Sequence, residues 1–172
     1  MANVSRREFL RVSAAGAATG ATLGGGSILG AGEARAATGR ASLEYPTLDV
    51  TKAGVLQVGT PVAFSYPDES SPCTLLKTGT RVPGGVGPDG DIVAYSSLCT
   101  HMGCQVFYDP KASTLKCPCH FSTFDPENAG QMICGQATEN LPVIVLEHNA
   151  SDDTVRAVAV EGLIYGRQSN LL

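Results

Sequence analysis

Two short segments hold most of the side chains that could bind a metal. The first reads Cys-Thr-His-Met-Gly-Cys from Cys99 to Cys104, and the second reads Cys-Pro-Cys-His from Cys117 to His120. Together they contain four of the six cysteines and two of the three histidines. Thiolates and neutral imidazoles are the ligands that borderline and soft metals prefer. The pattern therefore predicts one metal site built from both segments.

The spacing bears on the kind of metal site. Each segment has one cysteine–histidine set and one further cysteine; the sets are Cys99 with His101 and Cys117 with His120. If both sets bind metal, Cys104 and Cys119 are left over, one in each segment, which suggests a disulfide between the segments. Structural zinc is the alternative, and it normally uses Cys-x2-4-Cys knuckles, alone or with His-x3-5-His. Neither form fits this spacing well.

The two segments together resemble the Rieske iron–sulfur signature, Cys-x-His-x2-Gly-Cys followed by Cys-Pro-Cys-His. In that family two cysteines bind one iron of a [2Fe-2S] cluster and two histidines bind the other. By position, the resemblance implies that Cys99 and Cys117 hold the inner iron and that His101 and His120 hold the outer iron. It also implies a disulfide between Cys104 and Cys119.

The rest of the chain predicts an all-β fold. After Ala37, short apolar runs alternate with Gly, Pro, Asp and Asn, and no long run has a 3.6-residue period. The predicted strands are 55–58, 62–66, 74–77, 92–96, 105–108, 114–116, 131–133, 143–147 and 154–160. Their spacing is typical of an antiparallel sandwich or small barrel. The Rieske resemblance adds a cluster-binding subdomain, at about residues 97–142, formed by the two metal-ligand loops.

Residues beside the ligands bear on the reduction potential. Hydrogen bonds to cluster or cysteine sulfurs stabilise the reduced state and raise the potential. High-potential Rieske subunits of quinol-oxidising complexes read Cys-Pro-Cys-His-Gly-Ser-x-Tyr; here Ser122 keeps the serine, and Phe124 replaces the tyrosine. We expect one sulfur-directed hydroxyl instead of two. The potential should lie between the extremes of the roughly −150 to +300 mV Rieske range.

A third loop is expected next to the site. Residues 135–142 end in Leu-Pro and occupy, in chain order, the place of the proline-bearing loop that covers the cluster in Rieske domains. The alternative is a plain hairpin connection.

Within the Rieske family, the chain resembles the small subunit of arsenite oxidase. Four segments carry this narrower resemblance, and they are 99–104, 117–121, 129–135 and 162–168. This resemblance implies a heterodimer in the bacterial periplasm. Its large subunit would carry a molybdenum–pterin centre and a [3Fe-4S] cluster and oxidise arsenite to arsenate. The present chain would pass the electrons singly to a soluble cytochrome c or an azurin-like copper protein. No arsenite-oxidising site is expected on this chain itself.

The N-terminal segment 1–36 resembles a twin-arginine export signal. Ser-Arg-Arg-Glu-Phe-Leu-Arg at 5–11 precedes a weakly apolar stretch at 12–30 with six glycines, and Ala34-Arg35-Ala36 is a small-x-small cleavage site. The glycine content argues against a membrane span, which favours larger aliphatic residues. Cleavage would leave 37–172 as one Rieske domain, long enough for one core and too short for two.

Removal of residues 1–36 leaves an acidic chain. The Lys and Arg count falls from 12 to 8 and the Asp and Glu count from 16 to 14, so the net charge becomes 8 − 14 = −6. This balance argues against nucleic acid and anionic membrane surfaces as partners, and it permits a basic partner such as a small cytochrome. A membrane partner is expected only if the signal is retained.

Two functions of other classes remain as alternatives. One is the Rieske subunit of a quinol:cytochrome c oxidoreductase, anchored by an uncleaved N-terminal segment at 12–30. Phe121 and Phe124, in place of glycine and tyrosine, argue against it. The other is a zinc-stabilised binding module with no redox role.

Five further residues carry separate predictions. Cys73 and Cys134 are isolated and are predicted as buried small hydrophobes rather than as an arsenic-binding pair. His148 precedes a polar turn and is predicted to be solvent-exposed and without function. Tyr165 and Arg167 are predicted either as subunit contacts or as part of a tail packed on its own domain.

Overall fold

The computed structural model describes residues 44–171, which form ten strands and one short 3-10 helix at Ala53–Val55. In chain order the strands are β1 (Leu48–Lys52), β2 (Val62–Ser65), β3 (Pro72–Lys77), β4 (Ile92–Ser96), β5 (Phe107–Asp109), β6 (Thr114–Lys116), β7 (Thr123–Asp125), β8 (Gln131–Cys134), β9 (Val143–Asn149) and β10 (Thr154–Glu161). Among residues 44–171, no helix is long and apolar enough to cross a membrane. The predicted export signal and its cleavage site lie outside the described residues.

The strands form two antiparallel sheets, which confirms the all-β prediction. The larger sheet has six strands in the order β1-β10-β9-β4-β3-β2, and the smaller has four in the order β5-β6-β7-β8. The small sheet is inserted in the chain between β4 and β9. Both metal-ligand segments belong to this insertion: the first follows β4, and the second joins β6 to β7.

Strand β4 connects the cores of the two sheets. All five of its residues are buried, and successive side chains point to opposite faces of a strand. Ile92 and Ala94 belong to one apolar cluster, with Leu75, Ile144 and Val155 among its members. Val93 and Tyr95 belong to the other, which contains Leu115, Phe124 and Leu141. The chain leaves this doubly buried strand three residues before Cys99, so the first ligand segment starts from a fixed position.

Most predicted strands are confirmed, with differences where the local pattern is short. The ranges of β4 and β6 match the prediction at both ends. The strand predicted at 55–58 is wrong, because the chain there begins with the 3-10 helix and exposes both Val55 and Val58. Strands β1 and β7 were not predicted. In β10 the pairing with β9 shifts register between Ala157 and Ala159. The alternation of buried and exposed residues shifts with it, so Val160 faces the core instead of Ala159.

Candidate metal centre

Each ligand segment is a tight loop closed by the same pair of main-chain hydrogen bonds. In the first loop, the Cys99 N–H donates to the Cys104 carbonyl and the Gly103 N–H donates to the Cys99 carbonyl, both at 2.8 Å. In the second, Cys117 N–H donates to the Ser122 carbonyl at 2.8 Å and Phe121 N–H to the Cys117 carbonyl at 3.1 Å. The fifth residue of each loop has a positive φ, 72° at glycine 103 and 60° at phenylalanine 121. Glycine adopts this conformation freely, whereas phenylalanine is strained there.

The loops place the predicted ligands on two levels, which are two depths below the protein surface. Cys99 and Cys117 are free thiols, 1% and 2% exposed. The rings of His101 and His120 lie further out, with centroids 4.7 Å apart and planes at 85°. His101 is half-buried and His120 is exposed. Each loop thus contributes one buried cysteine and one histidine that lies nearer the surface.

One buried atom of this group has no partner. The Nδ1 atom of His101 is buried and makes no hydrogen bond with any residue of 44–171. Because an unpaired buried polar atom is costly, native proteins normally satisfy it with protein, water or a ligand. Burial raises the pKa of the Cys99 thiol and Cys117 adds to the rise, whereas the His101 main-chain N–H and the Ser122 hydroxyl oppose it. A cationic iron centre would both occupy Nδ1 and stabilise the thiolates, so the donor set fits a cluster with two cysteines and two histidines.

The remaining cysteine of each loop forms a crosslink. The Sγ atoms of Cys104 and Cys119 are joined in a disulfide, 2.07 Å apart. The sulfurs of Cys104, Cys117 and Cys119 all lie within 4.8 Å of one another. These three do not form a separate metal site, because two of them are bonded to each other. The disulfide instead lies against the Cys117 thiol and ties the second loop to the first.

Ser122 and Phe124 have different environments behind the second loop. The buried Ser122 hydroxyl oxygen accepts hydrogen bonds from the main-chain N–H groups of Gln136, at 3.1 Å, and Ala137, at 3.0 Å. The Ser122 hydroxyl also lowers the pKa of the Cys99 thiol. Phe124 is fully buried in the core of the small sheet and brings no hydroxyl.

Residues 135–142, between β8 and β9, form hydrogen bonds with both ligand loops. The Ser122 hydroxyl accepts from this segment, as described above, and the Thr100 hydroxyl donates to the Glu139 carbonyl at 2.8 Å. At Gly135 the backbone has φ of 105°, and a Cβ there would lie 2.4 Å from the Ser122 Cα. Only glycine permits so close an approach. The segment is therefore a third loop of the site and not a plain hairpin connection.

The family model for the Rieske [2Fe-2S] domain matches residues 49–145. The chain belongs to the Rieske family. The Rieske domain carries a [2Fe-2S] cluster.

Curated relatives and solved structures agree with this family. Iodate reductase subunit IdrB of Denitromonas iodatirespirans is 41% identical over 170 residues, which cover 97% of this chain and 86% of the relative. Iodate reductase subunit IdrB of Pseudomonas sp. (strain SCT) is 39% identical over 129 residues, 73% of this chain and 66% of the relative. The soluble domain of Rieske protein II (soxF) from Sulfolobus acidocaldarius has the same fold, with a TM-score of 0.65 and 24% identity over 72% of this chain and 82% of that one.

Two predictions for residues outside the ligand loops are wrong. Cys134 is exposed rather than buried, since β8 is the edge strand of the small sheet and both Ile133 and Cys134 are exposed there. The His148 side chain is only 13% exposed, because the turn after β9 brings Asp153 back to it, with Nε2 and Oδ1 2.9 Å apart. Cys73 is buried as predicted, and burial raises the pKa of its thiol to about 12.

The C-terminal segment packs on its own domain, the second of the two alternatives predicted for it. The Arg167 guanidinium donates to both carboxylate oxygens of Asp68, at 2.6 and 2.7 Å. Tyr165 lies against Gly103 of the first ligand loop. The role of Thr100 was not predicted, because its partner, the Glu139 carbonyl, is 39 residues away and no local pattern indicates it.

Proposed function

We propose that this chain is the Rieske electron-transfer subunit of a periplasmic arsenite oxidase. It would carry electrons one at a time from a large molybdenum–pterin subunit with a [3Fe-4S] cluster to a soluble cytochrome c or an azurin-like copper protein. The observation that carries the proposal is the two-level arrangement of the ligands, with buried thiols behind an exposed His120. A site whose imidazole edge reaches the surface suits exchange of electrons with another protein.

The ligand roles proposed here follow the two levels. Cys99 and Cys117 would hold the inner iron, and His101 and His120 would hold the outer iron. When bound, the cluster supplies reversible one-electron chemistry, with ferric iron favoured at the thiolates and reduction favoured at the neutral imidazoles. The chain's own contribution is to keep water from the thiols and to bring the imidazoles near a partner. The disulfide from Cys104 to Cys119 holds the two loops together at this edge.

The surroundings of the thiols would set an intermediate potential. Ser122 offers one hydroxyl to the Cys99 sulfur, and Phe124 offers none. One such hydrogen bond stabilises the electron-rich reduced state less than two would. We therefore place the potential below that of Rieske subunits that have both the serine and the tyrosine.

The loops also favour a protein partner at the histidine edge. The stretches 99–105, 117–124 and 132–138 contain no Asp, Glu, Lys or Arg. Met102 is 59% exposed, and Phe121 is 77% exposed. Fully buried interface centres are depleted in charge, and permanent interfaces are more apolar than transient ones. This uncharged edge suits the permanent large subunit, and the strained, exposed Phe121 suits a contact with it.

A second candidate substrate comes from the relatives. The curated relatives that span most of this chain are named as iodate reductase subunits, 41% and 39% identical. In that case the electrons would run in the opposite direction, from a soluble donor through this chain to iodate. The resemblance of segments 129–135 and 162–168 to arsenite oxidase supports the first candidate. Either function uses the same one-electron site.

The experiment purifies the complex from the periplasm with its native large subunit and records low-temperature EPR and visible spectra. Arsenite is added to the oxidised complex, and iodate is added separately to the dithionite-reduced complex. Reduction of the Rieske centre by arsenite supports arsenite oxidase. Reoxidation by iodate without any reduction by arsenite assigns the chain to iodate reduction instead. No response to either oxyanion contradicts both candidates, and recovery of the chain only from cytoplasm contradicts the periplasmic location.

A further inference from the structure

A groove runs between the third loop and the C-terminal segment. It consists of two adjoining pockets of about 370 Å³ and 150 Å³, and both are lined by Glu139 and Leu163. Pro142 and Gly162 lie next to each other in the larger pocket, since a Cβ on Gly162 would be 3.4 Å from the Pro142 Cα. The third loop and the C-terminal segment thus form two walls of one surface depression.

This groove reaches the first ligand loop. Thr100, which lies between Cys99 and His101, lines the smaller pocket together with Tyr165. The Tyr165 ring packs directly on Gly103 of the same loop. A molecule seated in the groove would therefore be one residue away from two of the proposed ligands.

The groove is lined by apolar side chains and by carboxylates that have no ion pair among the described residues. Leu163 is 49% exposed and Tyr165 is 39% exposed. The carboxylates of Glu139 and Glu161 are exposed and have no ion pair among residues 44–171. Arg167 is the one cation in the lining, and Asp68 already neutralises it. The groove is thus an apolar surface with a net negative charge.

We propose that this groove is the docking surface for the soluble redox carrier, and that the carrier is a protein with lysines around an apolar contact patch. The inference rests on the proposed electron-transfer function, which needs a second contact surface besides the one for the large subunit. Exposed charges of one sign steer an oppositely charged partner and speed its association, whereas a small apolar centre allows rapid release. The groove has this combination, and the uncharged histidine edge does not.

The step served by the docked complex is the transfer of a single electron. In arsenite oxidation the reduced iron of this chain loses one electron, and the ferric haem iron or cupric copper of the carrier gains it. No bond forms or breaks. For iodate reduction the same contact would serve the reverse transfer.

The test measures association kinetics in the intact complex. The dithionite-reduced complex is mixed by stopped flow with a lysine-rich mitochondrial cytochrome c, and the second-order rate constant is followed against ionic strength. The test variant is Glu139→Gln/Glu161→Gln. The matched control is Glu69→Gln/Glu147→Gln, which removes the same charge from exposed positions outside the groove.

The proposal predicts that the groove variant reacts about fivefold more slowly at low ionic strength and depends less on salt, because a steering charge has been removed. The control should react like the unmodified complex. Replacing Leu163 by Ser should slow the reaction at all salt concentrations. Equal slowing in both double variants, or no slowing in the groove variant, would overturn the groove as the docking surface.

A separate readout distinguishes failure of the docking proposal from failure of the proposed function. Reduction of the Rieske centre by arsenite, and turnover with a small dye acceptor, do not need the carrier surface. If these stay normal while the groove variant shows no defect, the docking proposal fails and the proposed function stands. If no oxyanion exchanges electrons with the complex, the proposed function fails, and the comparison of the two double variants still decides the docking surface.

Discussion

The ring of Tyr165 closes over Gly103, so that a Cβ on residue 103 would lie 2.6 Å from the Tyr165 Cδ1 atom. Gly103 also has φ of 72°. The C-terminal segment thereby braces the first ligand loop from outside, and the loop has room at this position only for glycine. The segment is held at its other end by Arg167 on Asp68. The position of His101 thus depends on a contact far away in the sequence.

Tyr165→Ala should loosen the first ligand loop. The variant shortens the side chain to a methyl group and removes the ring. The lost packing of this part-exposed aromatic contact is expected to lower the free energy of unfolding by about 2 kcal/mol. We expect the cluster to bleach faster in urea and the EPR lines to broaden as the His101 position becomes less uniform. Tyr165→Phe keeps the ring and should restore both. If the alanine variant keeps wild-type spectra and bleaching rate, Tyr165 does not position the loop.

Ser122→Ala should lower the reduction potential and the stability together. The variant loses the hydroxyl that lowers the pKa of the Cys99 thiol, and it leaves the Gln136 and Ala137 N–H groups without their acceptor. Unsatisfied buried donors cost about 1–3 kcal/mol. Thr123→Ala is the control, because that hydroxyl donates to the Phe121 carbonyl. Protein-film voltammetry should show a lower potential for Ser122→Ala only. An unchanged potential there would exclude the sulfur-directed hydroxyl.

Removal of the disulfide should affect cluster retention more than potential. Cys119→Ser frees the second loop from the first, and loss of a native disulfide typically costs about 2–4 kcal/mol. The ligands themselves are unchanged. We expect faster loss of visible absorbance in chelator and a potential close to that of the unmodified protein. A variant that holds its cluster as tightly as the parent would contradict a structural role of this bond.

The Asp68–Arg167 pair should make a part of the stability pH-dependent. The guanidinium holds the pKa of the Asp68 carboxyl well below its usual range. A carboxyl with a lowered folded-state pKa stabilises the protein above its unfolded pKa of about 3.9, and this contribution disappears as the pH falls further. Asp68→Asn should lower stability by about 1 kcal/mol at pH 7, since the pair is partly exposed.

Melting temperatures of the parent and Asp68→Asn proteins, measured from neutral pH down to about pH 2, check this sign. The two curves should begin to converge below about pH 4 and should keep converging as the pH falls towards the folded-state pKa of Asp68. A gap that stays constant in acid would show that the carboxylate charge contributes nothing. Glu69→Gln is the control, because this neighbouring carboxylate has no ion pair among the described residues.

The sequence was most informative where the chemistry is local. Ligand spacing, the leftover cysteines and the glycine at 103 lie within two six-residue loops, so the motif contains them. The strand β4 was recognisable because Ile-Val-Ala-Tyr-Ser is a continuous run of apolar and small residues. By contrast, β7 has only three residues and pairs on both sides, so its own pattern is too short to detect.

Errors arose where other segments of the chain determine a residue's surroundings. His148 lost its predicted exposure because Asp153 folds back onto it across a turn. Cys134 is exposed because it lies on β8, the edge strand of the small sheet, and the pairing of the whole sheet decides which strand is at the edge. The Tyr165 contact with Gly103 joins the end of the chain to a central loop, and no local pattern reports such a contact.

The measurement that tests the central claim most directly is pulsed EPR on the dithionite-reduced complex labelled with ¹⁵N-histidine. The account predicts a rhombic signal with an average g below the free-electron value, coupled to nitrogens of two different histidines. His101→Ala and His120→Ala should each remove one coupling or abolish the cluster, whereas His148→Ala should leave both couplings in place. A colourless zinc protein, a signal without histidine coupling, or a coupling lost in His148→Ala would contradict the proposed site.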